Sequence, residues 1–416
     1  MRKYYTEETR FYGKTSPDKL IKEFGSPLYV YNENIFRTRC REMANLIPYH
    51  RFKANFSVKA NSNLELLKIA REEGLNADAM SPGEIYILLK AGFLSDEIFF
   101  VPNNVSEEEM KYAIEKGITI SVDSLSQLEM FGRINPGGKV AVRFNPGVGA
   151  GHHSKVVTGG KKTKFGVNFD MVDDVKRILK NYSLKLVGVN QHIGSLFMEP
   201  DPYIESAKLI LTIAKQFEDI EFVDFGGGFG IPYHKQEGQQ RLNLKELGDK
   251  LAHIIYDWVK DYGKEIKVKT EPGRYIVAES GVLLGTVYAI KENYGDTYVG
   301  TDLGFNVLMR PVMYDSHHDI EVYRNGKPAD TEELKPVYVV GNICESGDII
   351  AKERMLPRIF EGDIIGVMDA GAYGYSMSSN YNSRLRPAEV LIKEDGTPKL
   401  IRRRDRLEDL VRNFEI

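Results

Sequence analysis

Cysteine is nearly absent from this chain, which carries only Cys40 and Cys344 in 416 residues. Two thiols so far apart make no disulfide framework, and a reducing, cytoplasmic compartment is the expectation. Long apolar runs are also missing. No stretch of eighteen apolar residues exists to span a bilayer, and the opening MRKYYTEETR lacks the apolar core of a secretory signal. Charge of one sign is not in excess either: 56 Lys and Arg stand against 59 Asp and Glu, a formal net of −3. Such a balance excludes phosphate-backbone attraction as the main role, so neither nucleic acid nor membrane is expected as a partner. What remains is ordinary globular material, 42% hydrophobic and 28% charged, enough for a large core.

The apolar residues are arranged in a rhythm. Short runs rich in β-branched and aromatic residues recur at 52–58, 75–80, 97–102, 118–124, 139–145, 186–194, 221–228 and 266–272. Amphipathic stretches separate them, among them 63–74, 82–92, 106–117 and 244–263. Several open on a capping residue (Asn63, Ser106) and close on Gly. Eight such alternations predict an α/β fold, a (β/α)8 barrel of the TIM type over residues 27–275. An open doubly wound sheet has the same local pattern. From about residue 275 the rhythm changes to strands joined by Asn-Gly and Asp-Gly turns. Residues 276–416, with 1–26, are therefore expected to form a mainly antiparallel β domain, with a short terminal helix in RDRLEDLVRNF.

Chemistry in such barrels gathers at the carboxyl ends of the strands. There the sequence places Lys59, Asp78, His192, the run Gly226, Gly227 and Gly228, and Glu271 followed by Gly273 and Arg274. A lysine desolvated in a barrel mouth is drawn toward the neutral amine that attacks an aldehyde, although a solvated strand end reads the same way. Three bare glycine amides form a nest for phosphate. No Gly-Lys-Ser/Thr follows, and Ile231 stands where a dinucleotide fingerprint wants glycine, so a phosphate-bearing cofactor smaller than a dinucleotide fits better. His192 can stack on a flat ring, with the Ser195 hydroxyl toward the same phosphate. Glu271 can hold a pyridine nitrogen protonated, or simply pair with Arg274. The histidines come in adjacent pairs, His152–His153 and His317–His318. Neighbours on a strand face opposite ways, so no metal is expected. The glycine- and lysine-rich stretch 147–166 reads as a long loop, either a lid or plain solvated chain.

Ten segments in order, FSVKAN, ADAMSPGE, RFNPGVGAGHH, TGG with KFG, QHIGS, FGGGFG, EPGR, RPVMYDSHH, CESGD and DAGAYGYSMSSNYN, resemble the pyridoxal-phosphate decarboxylases of the alanine-racemase-like fold. Within that group they are most similar to the diaminopimelate decarboxylases, from about residue 27 to 412. The resemblance implies pyridoxal 5′-phosphate bound covalently by Lys59. His192 would stack on its ring, Ser195 and the glycine run would hold its phosphate, and Glu271 would meet its nitrogen. Tyr373 would lie near cofactor and substrate. Arg274, Arg310 and Tyr314 would bind substrate. Cys344 and Glu345 would be contributed by the second subunit of a homodimer. Cys344, with Lys59 as rival, would deliver the final proton. The reaction implied is meso-2,6-diaminopimelate to L-lysine and CO2, closing lysine synthesis. A decarboxylase of ornithine, arginine or a carboxylated polyamine is the nearest alternative. Alanine racemase and a non-catalytic cofactor carrier are disfavoured by CESGD, EPGR and the residues after 275.

Overall fold

A computed structural model of the chain describes residues 4–145, 147, 150–151 and 163–415. His152, His153 and most of the 147–166 stretch lie outside the described residues. Contacts divide the chain into two compact units, one of residues 39–231 and 241–276, the other of 1–38, 232–240 and 277–416.

The first unit is a closed barrel. Eight strands, Phe52–Ser57, Asn76–Ala79, Ile98–Phe100, Thr119–Val122, Lys139–Asn145, Lys185–Asn190, Phe222–Asp224 and Lys267–Thr270, pair in parallel in that order, and the last returns to the first. Closure rules out the open sheet. Most of these strands are short and largely buried on both faces, so they read as mainly apolar runs. The helices between strands form where apolar residues fall three and four apart. In Leu64–Glu72 the buried face is Leu66, Leu67, Ile69 and Ala70, and the Asn63 side chain caps it by accepting from the Glu65 amide. Ser106 and Glu109 make a reciprocal capping box on Glu107–Glu115. Gly92 ends Pro82–Ala91 in the left-handed conformation that a side chain would strain.

The second unit is a mixed, mostly antiparallel sheet of ten strands. Its longest strand, Gly281–Asn293, pairs antiparallel with Leu28–Asn32, Ile364–Val367 and Asp296–Thr301. Leu28–Asn32 was expected at the start of the barrel. It belongs instead to this sheet, between Gly281–Asn293 and Ala388–Ile392, because LYVYN is apolar on both faces and both of its neighbours lie in the β unit. Residues 232–240 join the same unit. The N-terminal segment is fastened by burial: Tyr4, Phe11, Tyr12 and Leu20 pack with Leu28, Val30, Val282 and Val390. The expected terminal helix is reduced to one 3-10 turn, Leu407–Leu410, with Leu407 and Phe414 exposed. Its apolar face finds no buried surface, and tertiary burial is what stabilises a short helix. Among the described residues, no helix is long and apolar enough to cross a membrane.

Candidate active site

The barrel unit carries a dense set of ionisable groups at the carboxyl ends of its strands. Lys59 sits in a 3-10 turn, Val58–Ala60, directly after the first strand. That turn packs on the end of the eighth strand: the Ser57 amide donates to Pro272 O at 3.1 Å, and a Cβ on Gly273 would lie 3.0 Å from Ser57 Cβ and 3.1 Å from Ala60 Cβ. Gly273 is therefore bare because the Lys59 turn needs the space. Asp78 is opposite Ser57 in register and fully buried; its Oδ2 accepts from Ser57 Oγ at 2.9 Å and its Oδ1 has no partner. Burial holds the Asp78 carboxyl well above the usual range, with Glu271 adding to the effect and the Lys59 ammonium opposing it.

His192 and Glu271 meet here, His192 Nδ1 lying 3.9 Å from Glu271 Oε2. The Gly227 amide donates to His192 Nδ1 at 3.1 Å. A ring nitrogen that accepts an N–H carries no proton, so the ring is neutral, with its hydrogen on Nε2. Burial, and after it the positive charges of Lys59 and Arg143, also keeps the imidazole well below its ordinary pKa. Glu271 Oε1 is buried and unpartnered. Its carboxyl is pushed up to about 8, by burial first and then by the Asp224 carboxylate. Asp224 is itself raised to about 7 by burial, against the Gly226 amide and Lys269.

The glycine run does not form the three-amide nest expected of it. The Gly226 amide is taken by Asp224 Oδ1 at 2.8 Å and the Gly227 amide by His192. An anion at this end is left with the Gly228 segment and with Ser195, whose Oγ accepts from Arg274 Nη2 at 3.0 Å.

Sequence reasoning missed three members of this group. Arg143, Asp224 and Lys269 lie within barrel strands, and their charges act on His192 and Glu271. Arg143 is buried and its guanidinium stands 4.5 Å from the Phe165 ring. Lys269 lies between the rings of Phe222 and Phe99, at 4.2 and 4.8 Å.

The remaining candidates lie in the β unit. Arg310, at the start of the helix Arg310–Tyr314, is 1% exposed. It contacts His318 Nε2 at 2.7 Å, donates to Ser316 Oγ at 3.3 Å, and lies over the Tyr233 ring. His318 Nδ1 is 2.7 Å from Met368 O, so it is the donor there, and Nε2 is the acceptor for Arg310. His317 turns the other way, toward Asp319 at 3.0 Å, as adjacent strand-like residues do. Tyr314 is half-buried at the end of its short helix. Tyr373 adopts φ +56° in the turn after Asp369. Cys344 and Glu345 are exposed on one loop, where Glu345 Oε1 accepts from the Tyr381 hydroxyl at 2.5 Å.

A phosphate-bearing pyridine aldehyde suits the barrel set. The unpartnered, buried oxygen of Glu271 suits a ring nitrogen, the neutral imidazole suits a ring face, and the Ser195–Arg274 pair suits a phosphate. Comparison with known proteins agrees. Residues 33–278 match the family model described as pyridoxal-dependent decarboxylase, pyridoxal binding domain, which sets the class. The chain is similar to the diaminopimelate decarboxylase of Methanothermobacter thermautotrophicus, 42% identical over 96% of this chain and 94% of the relative. It is 37% identical to that of Archaeoglobus fulgidus, over 94% of each. The crystal structure of the Helicobacter pylori diaminopimelate decarboxylase complexed with L-lysine superposes with a TM-score of 0.86 at 32% identity, covering 95% of this chain and 98% of the other. The chain belongs to the diaminopimelate decarboxylase family. It is thereby a carboxy-lyase that depends on pyridoxal 5′-phosphate.

Proposed function

We propose that the residues described above divide the work of converting meso-2,6-diaminopimelate to L-lysine and CO2 as follows. When bound, pyridoxal phosphate supplies an aldehyde carbon for the substrate α-amine and a ring that takes up the electron pair left by CO2. Lys59 Nζ would hold the cofactor through that aldehyde carbon when no substrate is bound. Glu271 Oε1 keeps a proton at the ring nitrogen. Its carboxyl is held near 8 by burial, so an arriving base meets an acid able to share its hydrogen. His192 covers one ring face as a neutral ring, which puts no second positive charge against a protonated pyridine. Ser195, Gly228 and Arg274 hold the phosphate. Asp78, its carboxyl held well above the usual range by burial, lies within electrostatic reach of Lys59 and Glu271 and buffers their charge.

The substrate's far end carries an ammonium and a carboxylate. It needs a cation for the one and an acid for the other. Arg310, with Arg274, Tyr314 and Tyr373, takes the carboxylate end, and Glu345 takes the ammonium. A pocket for ornithine or arginine would set acids where this chain has Arg310. Cys344 delivers the proton to Cα. Cys344 and Glu345 act in trans, so the active assembly is a homodimer. A cytoplasmic location suits the same reading, since the exposed Cys344 thiol must stay reduced to donate.

The observation that carries this is the buried, unpartnered Glu271 oxygen beside an imidazole whose tautomer is fixed by Gly227. The test is incubation with meso-diaminopimelate and cofactor, following lysine and CO2, for the native chain and for Lys59→Ala. The variant should lose both the visible absorbance of the bound cofactor and turnover. Retention of both refutes the assignment.

A further inference from the structure

The segment SSNYNSR, which the sequence offers beside Tyr373 without an obvious task, touches the Cys344 loop at three successive points. Tyr381 Oη donates to Glu345 Oε1 at 2.5 Å, Asn382 Oδ1 accepts from the Cys344 amide at 2.8 Å, and Arg384 Nη2 donates to Asn342 O at 3.1 Å. The loop is gripped from its other side as well. Asp348 accepts from the Ile343 amide at 2.8 Å and from the Phe305 amide at 2.7 Å. Phe305 in turn stacks on Tyr381, with centroids 5.6 Å apart. The contacts therefore close a ring: Asp348, Phe305, Tyr381, Glu345, and back through the loop to Ile343.

The gripping turn has a firm base. Asp405 accepts from Asn380 Nδ2 at 3.1 Å and from the Arg386 amide at 3.2 Å, fixing both ends of the turn. Its apex is bent in a particular way, with Asn382 at φ +54° and Ser383 at φ +53°. That left-handed bend aims the Asn382 carboxamide at the Cys344 amide. Asparagine tolerates the conformation better than most residues with a side chain.

We propose that Asn382, assisted by Tyr381 and Arg384, is the positioning device for the Cys344–Glu345 pair. Asn382 sets the backbone from which the thiol projects, and Tyr381 sets the orientation of the Glu345 carboxylate. This rests on the reading of Cys344 as proton donor and Glu345 as ammonium partner. Neither positioning residue touches the reacting atoms in this account.

Three substitutions separate the hydrogen bond from the bend. Asn382→Gly keeps the left-handed backbone and deletes the acceptor, Asn382→Asp keeps both, and Asn382→Ala loses both. In the holoenzyme, Asn382→Gly should lower kcat by about tenfold to a hundredfold, the scale on which a misplaced catalytic group acts, with KM little changed. The rate of Cys344 alkylation by iodoacetamide should change with it. Cys40 is buried, so the signal belongs to Cys344. Asn382→Asp should restore both values to within about twofold. Tyr381→Phe should instead raise KM, because it frees the group that reads the substrate ammonium. Native kcat and native alkylation in Asn382→Gly would overturn the proposal, as would an Asn382→Asp enzyme no better than the glycine variant. Undiminished turnover in Cys344→Ala would remove the proton-donor role alone. The alkylation rates would then still decide whether Asn382 positions the thiol.

Discussion

Replacing Asp224 by asparagine isolates one charge inside the barrel. Asp224 is fully buried, opposite Asn190 on one neighbouring strand and Lys269 on the other. Asparagine is its isostere and can keep the 2.8 Å bond to the Gly226 amide through Oδ1. The other oxygen is only 3.5 Å from Asn55 Nδ2, and Asn55 Oδ1 has no partner. A flip of the Asn55 amide would then present an acceptor to the new NH2. Geometry is thus preserved while the charge is removed. Burial raises Asp224 from 3.8 to about 7, which at about 1.4 kcal/mol per unit makes its ionisation cost roughly 4 kcal/mol in the folded protein.

The direction follows from linkage. A carboxyl raised by folding binds its proton more tightly folded than unfolded. Its contribution is complete below the unfolded value and is lost as pH rises through the folded one. For Asp224 that window runs from about 4 to about 7, and for Glu271 it extends to about 8. The variant should match the native protein near pH 4 and melt higher near pH 8.5, by roughly 2–4 °C for each kcal/mol recovered. Thermal melting of cofactor-free protein at both pH values, at constant ionic strength, gives the comparison. Asp369, raised to about 6 by burial and by groups other than Asp224, is common to both proteins and cancels. A constant offset between the two melting curves at all pH values, or a variant less stable at pH 8.5, would refute the reasoning.

Two further substitutions test other parts of the structure. Arg310→Lys should raise KM for diaminopimelate at least tenfold and lower the melting temperature, because an ammonium cannot serve His318 and Ser316 together while lying over Tyr233; an unchanged KM would place the distal carboxylate elsewhere. Gly83→Ala should stabilise by about 0.5 kcal/mol, since Gly83 is in the first turn of Pro82–Ala91 and a Cβ there meets only Ser81 Oγ, at 3.6 Å; a lowered melting temperature would show that the first turn needs glycine.

The barrel strands were legible because burial on both faces writes itself into sequence as mainly apolar runs. FKANFSV and KVAVRFN need no partner to be recognised. Leu28–Asn32 was not read as a strand and fell inside the span given to the barrel. Its partners begin at Gly281 and Ala388, and nothing local distinguishes those from a barrel neighbour. Lys59, His192 and Glu271 could be read because each follows an apolar run, where a barrel puts its chemistry. Arg143, Asp224 and Lys269 could not. They stand within the strands, and a charged residue in a strand ordinarily marks the solvated face. Near the end of this barrel the interior is itself polar, so alternation points the wrong way. His318 was visible only as half of a pair; its service to Arg310 depends on Met368 O, fifty residues on.

The glycine run shows how a correct motif can carry the wrong reason. FGGGFG looked like a cradle for phosphate, and two of its amides are engaged within the protein. The bare positions answer a tighter demand. A Cβ on Gly226 would lie 2.2 Å from Gln191 O, on Gly227 2.0 Å from Glu271 O, on Gly228 2.6 Å from Gly194 O, and on Gly230 2.5 Å from Met198 Sδ. Three of those neighbours are backbone, which cannot swing aside as a side-chain tip can. The run is therefore a seam where the sixth, seventh and eighth strand ends close on one another. Through it Gly226 O accepts the Glu271 amide at 2.9 Å and the Tyr203 hydroxyl at 2.7 Å, while Gly227 N holds His192. The spacing of QHIGS, FGGGFG and EPGR is thus one packing requirement, and the 3.9 Å between imidazole and carboxylate is its consequence. Alanine at 227 would have to part Glu271 from the glycine turn before it could disturb any phosphate.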